Sequence, residues 1–300
     1  MKRLLVFLLC ASAVFLSCKD NQVESALNSA EISMNDNPES SLNVLKSIDK
    51  ESLSTRKQKA KYALLYSMAL DKNYIDIKAD SIIAPAVKYY ACHGSKEDRF
   101  LCNYYRARIY EHAGDNENAL LYAAKAESVD TSRVSAESKC LLYSMKGRVY
   151  FDARKLINAI DSYKLACEYS LKAAKYRHYA NYCLRLADVY MYNHDMSNLD
   201  RYIKWAGEYR SYFGLFEIHS YSRLILLSMM ENEADMQKCI DYIENYIKDY
   251  PQYDMIQWHV IAKAYLFAGY PKKALDMLDK YAKYYDVSSN ISYYGNLSDV

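Results

Sequence analysis

Histidine is the side chain best suited to acid–base and metal chemistry at neutral pH, and the spacing of the histidines in this chain supports neither. The six are His93, His112, His178, His194, His219 and His259. They form no H-E-x-x-H pair, and the sequence contains no G-x-G-x-x-G, P-loop or G-x-S-x-G motif. Two of them, His112 and His194, lie near predicted helix turns, where a capping or solvated role is expected. We therefore expect no catalytic residue, no metal site and no cofactor.

The cysteines offer a second kind of chemistry, as thiols, disulfides or metal ligands. Besides Cys10 and Cys18 there are six, namely Cys92, Cys102, Cys140, Cys167, Cys183 and Cys239. Their wide spacings include no C-x-x-C pair and no zinc pattern. A cysteine within a helix commonly behaves as a small buried hydrophobe, so free thiols are expected. In an oxidising compartment, Cys167 and Cys183 would be the best disulfide candidates because they lie on consecutive predicted helices.

The composition indicates that almost every residue belongs to a helix. The 300 residues include only 7 Gly and 4 Pro, the residues that most often form β-turns and loops. Sandwiches, barrels and Gly-rich nucleotide folds are therefore excluded. Hydrophobic residues make up 51% and charged residues 25%, which excludes intrinsic disorder. The predicted class is all-α.

The N-terminus predicts an exported, lipid-anchored protein. Lys2 and Arg3 precede an apolar run at residues 4–16, which is too short to span a bilayer and suits a secretory signal peptide. The following Ser17-Cys18 resembles the lipobox of bacterial lipoproteins, and the resemblance implies removal of residues 1–17 and lipidation of Cys18. Residues 18–21 would be an anchor and linker. The expected location is the cell envelope of a Gram-negative bacterium, at the periplasmic or the surface face of the outer membrane.

Charge argues against nucleic acid as a partner. Removal of residues 1–17 would delete Lys2 and Arg3 and no acidic residue, which leaves 37 basic side chains against 37 acidic ones. A chain near neutrality has no global basic field with which to attract a polyanion. We therefore expect a protein or peptide partner, with membrane contact only through the N-terminal lipid.

A recurrence at intervals of 40 residues organises the mature chain. Ala107, Gly147 and Ala187 occupy one column, and Tyr110, Tyr150 and Tyr190 follow in another. This order, with Gly114 at a predicted turn and Trp258 and Tyr265 opening a later unit, resembles the tetratricopeptide repeat (TPR), a helix–turn–helix unit. HEAT-like repeats are the architectural alternative. The resemblance implies a right-handed α-solenoid of about seven TPR-like pairs over residues 22–286, which begin near residues 22, 60, 100, 140, 180, 220 and 255.

The 40-residue period exceeds the 34 residues of the TPR family by six. The excess falls between the second helix of one pair and the first helix of the next. It could lengthen the helices or widen the loop between pairs. Residues 287–300 would be a partial eighth repeat or a truncated end, because Leu297–Val300 matches Leu186–Val189.

The resemblance also implies where a partner would bind. In TPR arrays the first helix of each pair lines a concave groove, and Arg and aromatic residues are enriched in binding hot spots. The candidate protein-binding residues on this face are Tyr104, Arg108, Arg148, Phe151 and Tyr192. The alternative is that Tyr104 and Tyr192 pack between repeats and that both arginines are solvated.

The predicted function is a non-catalytic, membrane-anchored scaffold for protein–protein interaction. Two alternatives remain open. One is an accessory lipoprotein of outer-membrane barrel assembly. The other is a truncated sensor or regulator, because longer chains that resemble this one carry a transmembrane helix and a DNA-binding helix-turn-helix after the repeats.

Overall fold

The computed structural model describes residues 20–231, 236–251 and 258–284, and these residues form fourteen α-helices and no β-strand. This confirms the all-α prediction. The helices are α1 (residues 20–33), α2 (Pro38–Ser47), α3 (Arg56–Lys72), α4 (Ala84–His93), α5 (Lys96–His112), α6 (Asn116–Glu127), α7 (Ala136–Asp152), α8 (Leu156–Lys172), α9 (Tyr176–Tyr192), α10 (Met196–Gly207), α11 (Leu215–Glu231), α12 (Met236–Asp249), α13 (Trp258–Phe267) and α14 (Pro271–Tyr284).

The chain divides into two compact units, which meet in sequence between Ala153 and Arg154. In the N-terminal unit, which contains α1–α7, α3 packs on α4 and α5 packs on α6. In the C-terminal unit, which contains α8–α14, α9 packs on α10 and α13 packs on α14. Within each unit these consecutive helices, joined by short connections, pack as antiparallel neighbours.

The first helices of successive pairs also contact each other. We call α3, α5, α7, α9, α11 and α13 the A helices. In the N-terminal unit α5 contacts both α3 and α7, and in the C-terminal unit α11 contacts both α9 and α13. Side chains on one A helix can therefore reach side chains on the next, which is the relationship that positions the candidate site.

Small residues make these close contacts possible. Ala107 on α5 and Ala187 on α9 are completely buried, and Gly147 on α7 is buried as well. A small side chain lets a neighbouring helix approach, and larger side chains fill the remaining space. The small column that recurs every 40 residues in the sequence is therefore a column of interior positions.

Many of the tyrosines stack within or between paired helices. The rings of Tyr110 and Tyr122 are 5.3 Å apart and nearly parallel, and those of Tyr190 and Tyr202 are 5.5 Å apart. Each stack joins an A helix to the helix that follows it. Tyr265 at the corresponding place on α13 is buried. Part of the tyrosine excess thus serves helix packing, as expected from the recurring column.

The turns within pairs share one backbone geometry. Gly114 has a φ of 75° and lies in the left-handed region that ends a helix. Its N–H donates to the Glu111 carbonyl, and the Asp115 N–H donates to the Tyr110 carbonyl. The Asp115 side chain then caps α6 through the Asn118 N–H. His194 takes the same place after α9, with a φ of 54°, so its backbone serves the turn that the sequence predicts near it.

The second helices of two pairs, and the connections that follow them, differ in length. The helix α6 has 12 residues, and residues 128–135 connect it to α7 through the 3-10 turn Thr131–Arg133. The helix α8 has 17 residues, and only residues 173–175 connect it to α9. The shorter helix α6 is therefore followed by a long connection, and the longer helix α8 by a short one.

Several predicted segments lie outside the described residues. These are the signal peptide at 1–17, the lipidation site Cys18 and the predicted partial repeat at 287–300. Residues 20 and 21, assigned to the linker from the sequence, belong to helix α1. In the part of the chain that the structure describes, no helix has both the length and the apolar character needed to cross a bilayer.

Candidate functional site

The candidate residue Arg108 forms ion pairs with two carboxylates. Its Nε lies 3.0 Å and its Nη2 2.7 Å from Oδ1 of Asp71 on the preceding A helix, α3. Its Nη1 donates to Glu111, one turn further along the same helix. The guanidinium is thus held between two helices by hydrogen bonds in which both partners are charged, the stronger kind of hydrogen bond.

The second candidate arginine continues the same array. Arg148 on α7 donates from Nε to Glu111 Oε1 at 2.9 Å and from Nη2 to Glu111 Oε2 at 3.3 Å. Its Nη1 lies 3.3 Å from the Ser144 hydroxyl. Negative and positive side chains therefore alternate across α3, α5 and α7, a series that we call the charge ladder: Asp71, Arg108, Glu111 and Arg148.

Helix geometry explains why these four residues meet. Counted from the start of each helix, Asp71 and Glu111 are sixteenth in α3 and α5, while Arg108 and Arg148 are thirteenth in α5 and α7. Residues three apart lie on the same face of a helix. With the three A helices side by side, each carboxylate faces the arginine of the next helix.

The ladder is largely withdrawn from water. The side chains of Asp71, Arg108 and Glu111 are 16%, 17% and 13% exposed, whereas Arg148 is 35% exposed. Burial opposes ionisation of Glu111, but Arg148 and Arg108 outweigh it and hold the pKa of this carboxyl below its usual range. Glu111 therefore stays ionised at neutral pH, and Arg148 is the open end of the ladder.

The three aromatic candidates have different surroundings. Tyr104 is only 2% exposed and packs edge-on against Tyr105, with ring centroids 4.8 Å apart. Burial raises the pKa of Tyr104. A side chain this buried supports the face from beneath and offers little surface to a partner, which agrees with the packing alternative.

The other two aromatics are more accessible. Phe151 on α7 is half-buried, and it lies one turn beyond Arg148 on the same helix. Tyr192 belongs to the C-terminal unit, where the residue is 51% exposed and the Arg154 guanidinium carbon lies 4.4 Å from the centroid of its ring. The structure thus joins Arg108 and Arg148 through Glu111 and places Phe151 on the same helix as Arg148, whereas Tyr192 belongs to the C-terminal unit.

Sequence reasoning missed Asp71 altogether and did not recognise Glu111 as a partner of both arginines. The signal was present as a repeated separation, since Asp71 and Arg108 are 37 residues apart and so are Glu111 and Arg148. The 40-residue alignment concealed it, because it compares like positions and the ion pairs join unlike positions of neighbouring helices.

The histidine at the end of α5 adjoins the ladder. His112 is 13% exposed, and its Nε2 lies 3.5 Å from the Asp76 carboxylate. Burial and the positive charge of Arg108 lower the pKa of His112. Among the described residues, no group of three or more His, Cys, Asp and Glu side chains is placed to hold a metal ion.

Comparison with known proteins adds no family assignment. No protein-family model matches the chain, and no curated protein sequence matches it significantly. The chemistry open to this face is therefore inferred from its own side chains, which can exchange hydrogen bonds and ion pairs with the charged groups of a partner.

Proposed function

We propose that the protein is a non-catalytic, membrane-anchored scaffold that binds a protein or peptide on the face formed by its A helices. The observation that carries this proposal is the placement of Arg148. It is the most exposed member of the ladder, and the half-buried Phe151 lies one turn away on the same helix. Arginine and aromatic side chains are enriched in binding hot spots.

The ladder would prepare this site for a partner. Glu111 fixes the orientation of the Arg148 guanidinium, so little side-chain entropy remains to be lost on binding. A partner carboxylate would meet a guanidinium that already points in a defined direction. Tyr104 and Arg108 would support the site from within.

The repeat architecture is the second part of the proposal. We propose that the pairs are TPR-like units of a right-handed solenoid with a period of about 40 residues. In support, α3, α5, α7 and α9 begin at Arg56, Lys96, Ala136 and Tyr176, which are 40 residues apart. The pattern of buried and half-buried positions over residues 101–110 also recurs at 141–150.

The binding face is tested by chemical crosslinking in the native cell envelope with the double variant Arg148→Ala and Phe151→Ala. The matched control is Arg133→Ala with Leu121→Ala, which also removes one arginine and one apolar side chain, both exposed and away from the A-helix face. We expect the first variant to lose the crosslinked partners that the wild type and the control retain. Equal capture by all three proteins, with circular dichroism confirming that each is folded, would reject this face.

The anchoring proposal is tested separately. We propose that Cys18 becomes the lipidated N-terminal residue of the mature protein and holds it at the outer membrane. Mass spectrometry of protein recovered from envelopes should show a chain that begins at Cys18 and carries acyl groups. A Cys18→Ser variant should leave the membrane fraction. A mature chain that starts at any other residue would contradict the assignment.

A further inference from the structure

A cleft on the N-terminal unit lies apart from the charge ladder. It has a volume of about 380 Å³ and lies where the beginning of α3 faces α4. The residues that line it are Arg56, Lys59, Pro85, Lys88, Tyr89 and His93. Clefts of this volume hold ligands of the size of a small metabolite.

The lining of this cleft is strongly cationic. Arg56 and Lys59 come from α3, Lys88 comes from α4, and no acidic side chain is among the described residues that line the cleft. None of the three cations forms an ion pair with a carboxylate in the described part of the chain. The ladder arginines, by contrast, are paired with the carboxylates of Asp71 and Glu111. The cleft therefore differs from the ladder because its positive charges are not balanced by carboxylates of the described residues.

An ordered aromatic pair forms one wall of the cleft. The rings of Tyr89 and His93 are 4.6 Å apart and inclined by only 12°. The His93 Nδ1 lies 3.1 Å from the Tyr89 carbonyl oxygen, which adds a hydrogen bond to the stack. One turn of α4 thus presents two rings in a defined orientation next to three exposed cationic side chains.

We propose that this cleft binds the phosphate group of a small molecule or lipid headgroup. A phosphate monoester carries a charge of about −1.5 to −2 and three strong acceptor oxygens at neutral pH, whereas a single carboxylate carries one charge and two oxygens. Three cations converging on one cleft match the phosphate better. Arg56 can offer two parallel N–H groups, and Lys59 and Lys88 act as point charges.

The test uses inorganic pyrophosphate as a soluble probe and phosphatidic acid in phosphatidylcholine vesicles as a lipid probe. Calorimetry of the full chain measures the first, and vesicle flotation measures the second, with vesicles of phosphatidylcholine alone for comparison. The test variant is Lys59→Gln with Lys88→Gln. The matched control is Lys46→Gln with Lys57→Gln, which removes two exposed lysines of the same unit that do not line the cleft.

We expect the test variant to weaken binding about tenfold or more and the control to leave it within about twofold. Binding of pyrophosphate alone would identify a free phosphate compound as the ligand, and binding of the phosphatidic acid vesicles alone would identify a lipid headgroup. Binding that falls equally in both variants reflects general surface charge and would overturn the proposal. The absence of binding to either probe would overturn it as well.

Discussion

Glu111 on α5 accepts hydrogen bonds from Arg148 on α7, with the Arg148 Nε 2.9 Å from Glu111 Oε1. The same carboxylate accepts from Arg108 on its own helix. One acidic side chain therefore orients two arginines, and the half-buried Arg148 is the more exposed of the two. This arrangement narrows the proposed binding face on the N-terminal unit to the surroundings of Arg148 and Phe151.

The ladder should contribute measurably to stability. Replacing Glu111 with Gln leaves the Arg148 guanidinium without a charged partner and Arg108 with Asp71 alone, which we expect to lower the free energy of unfolding by about 2 kcal/mol. Glu127→Gln removes the ion pair between Lys146 and the Glu127 carboxylate, which is 30% exposed, and should cost less than about 1 kcal/mol. Urea unfolding measures both. Equal losses in the two variants would show that the ladder has no special stabilising role.

Acid should weaken the ladder in a defined direction. Because the pKa of Glu111 is lower in the folded protein than its ordinary 4.5, the stabilisation is fully present above pH 4.5. It is lost as the pH falls through the folded-state pKa. We therefore expect the stability difference between the wild type and Glu111→Gln to shrink as urea titrations move from pH 7 to pH 3. A difference that stays constant over this range would contradict the assignment.

A buried histidine should produce a second pH dependence, nearer neutrality. Burial lowers the pKa of His219 below its ordinary 6.5, and its Nδ1 lies 2.6 Å from the Tyr246 hydroxyl. Below pH 6.5 the unfolded chain takes up a proton that the folded state resists, so stability falls as the pH drops towards the folded-state pKa. His219→Gln should reduce the change in thermal midpoint between pH 7.5 and pH 5.5. An unchanged dependence would mean that other groups are responsible.

The helix turns predict opposite effects for two small substitutions. Gly114 has a φ of 75°, and an added Cβ would meet no atom within 4 Å, so Gly114→Ala tests backbone strain alone. We expect it to lower stability by about 1 kcal/mol. Ala174 has a φ of 53° in the turn between α8 and α9, which has the same hydrogen bonds, and Ala174→Gly should raise stability by about 0.5 kcal/mol. Thermal unfolding with changes of the same sign in both variants would refute this interpretation.

The thiols should differ sharply in reactivity. Cys92 is exposed, whereas Cys167 and Cys183 are buried with their sulfur atoms 3.9 Å apart. A hydrogen bond with Cys183, together with burial, raises the pKa of Cys167, and burial raises that of Cys102 to about 12. Thiolate is the reactive form, so iodoacetamide at pH 8 should label Cys92 in the folded protein and the buried thiols only after unfolding. Rapid labelling of Cys167 in the native protein would contradict this expectation.

Many features of the fold follow from local sequence alone. The shortage of Gly and Pro excluded a β-rich fold, and the small and tyrosine columns marked the positions that α5, α7 and α9 bury or stack. These signals are local, since each depends on the preferences of a few neighbouring residues within one helix or turn. Gly114 is the clearest case, because its left-handed φ follows from the residue type at a helix end.

The candidate site depended on contacts between helices. Sequence spacing placed Arg108 and Arg148 on corresponding faces, but only the packing of α3, α5 and α7 brought Asp71 and Glu111 against them. The same packing buried Tyr104, which periodicity alone had placed on the proposed binding face. The spacing of residues along one helix determines which side chains lie on the same face of that helix. Its partners and its exposure are decided by the neighbouring helices, because ion pairing and burial act over a few ångströms in space and not along the chain.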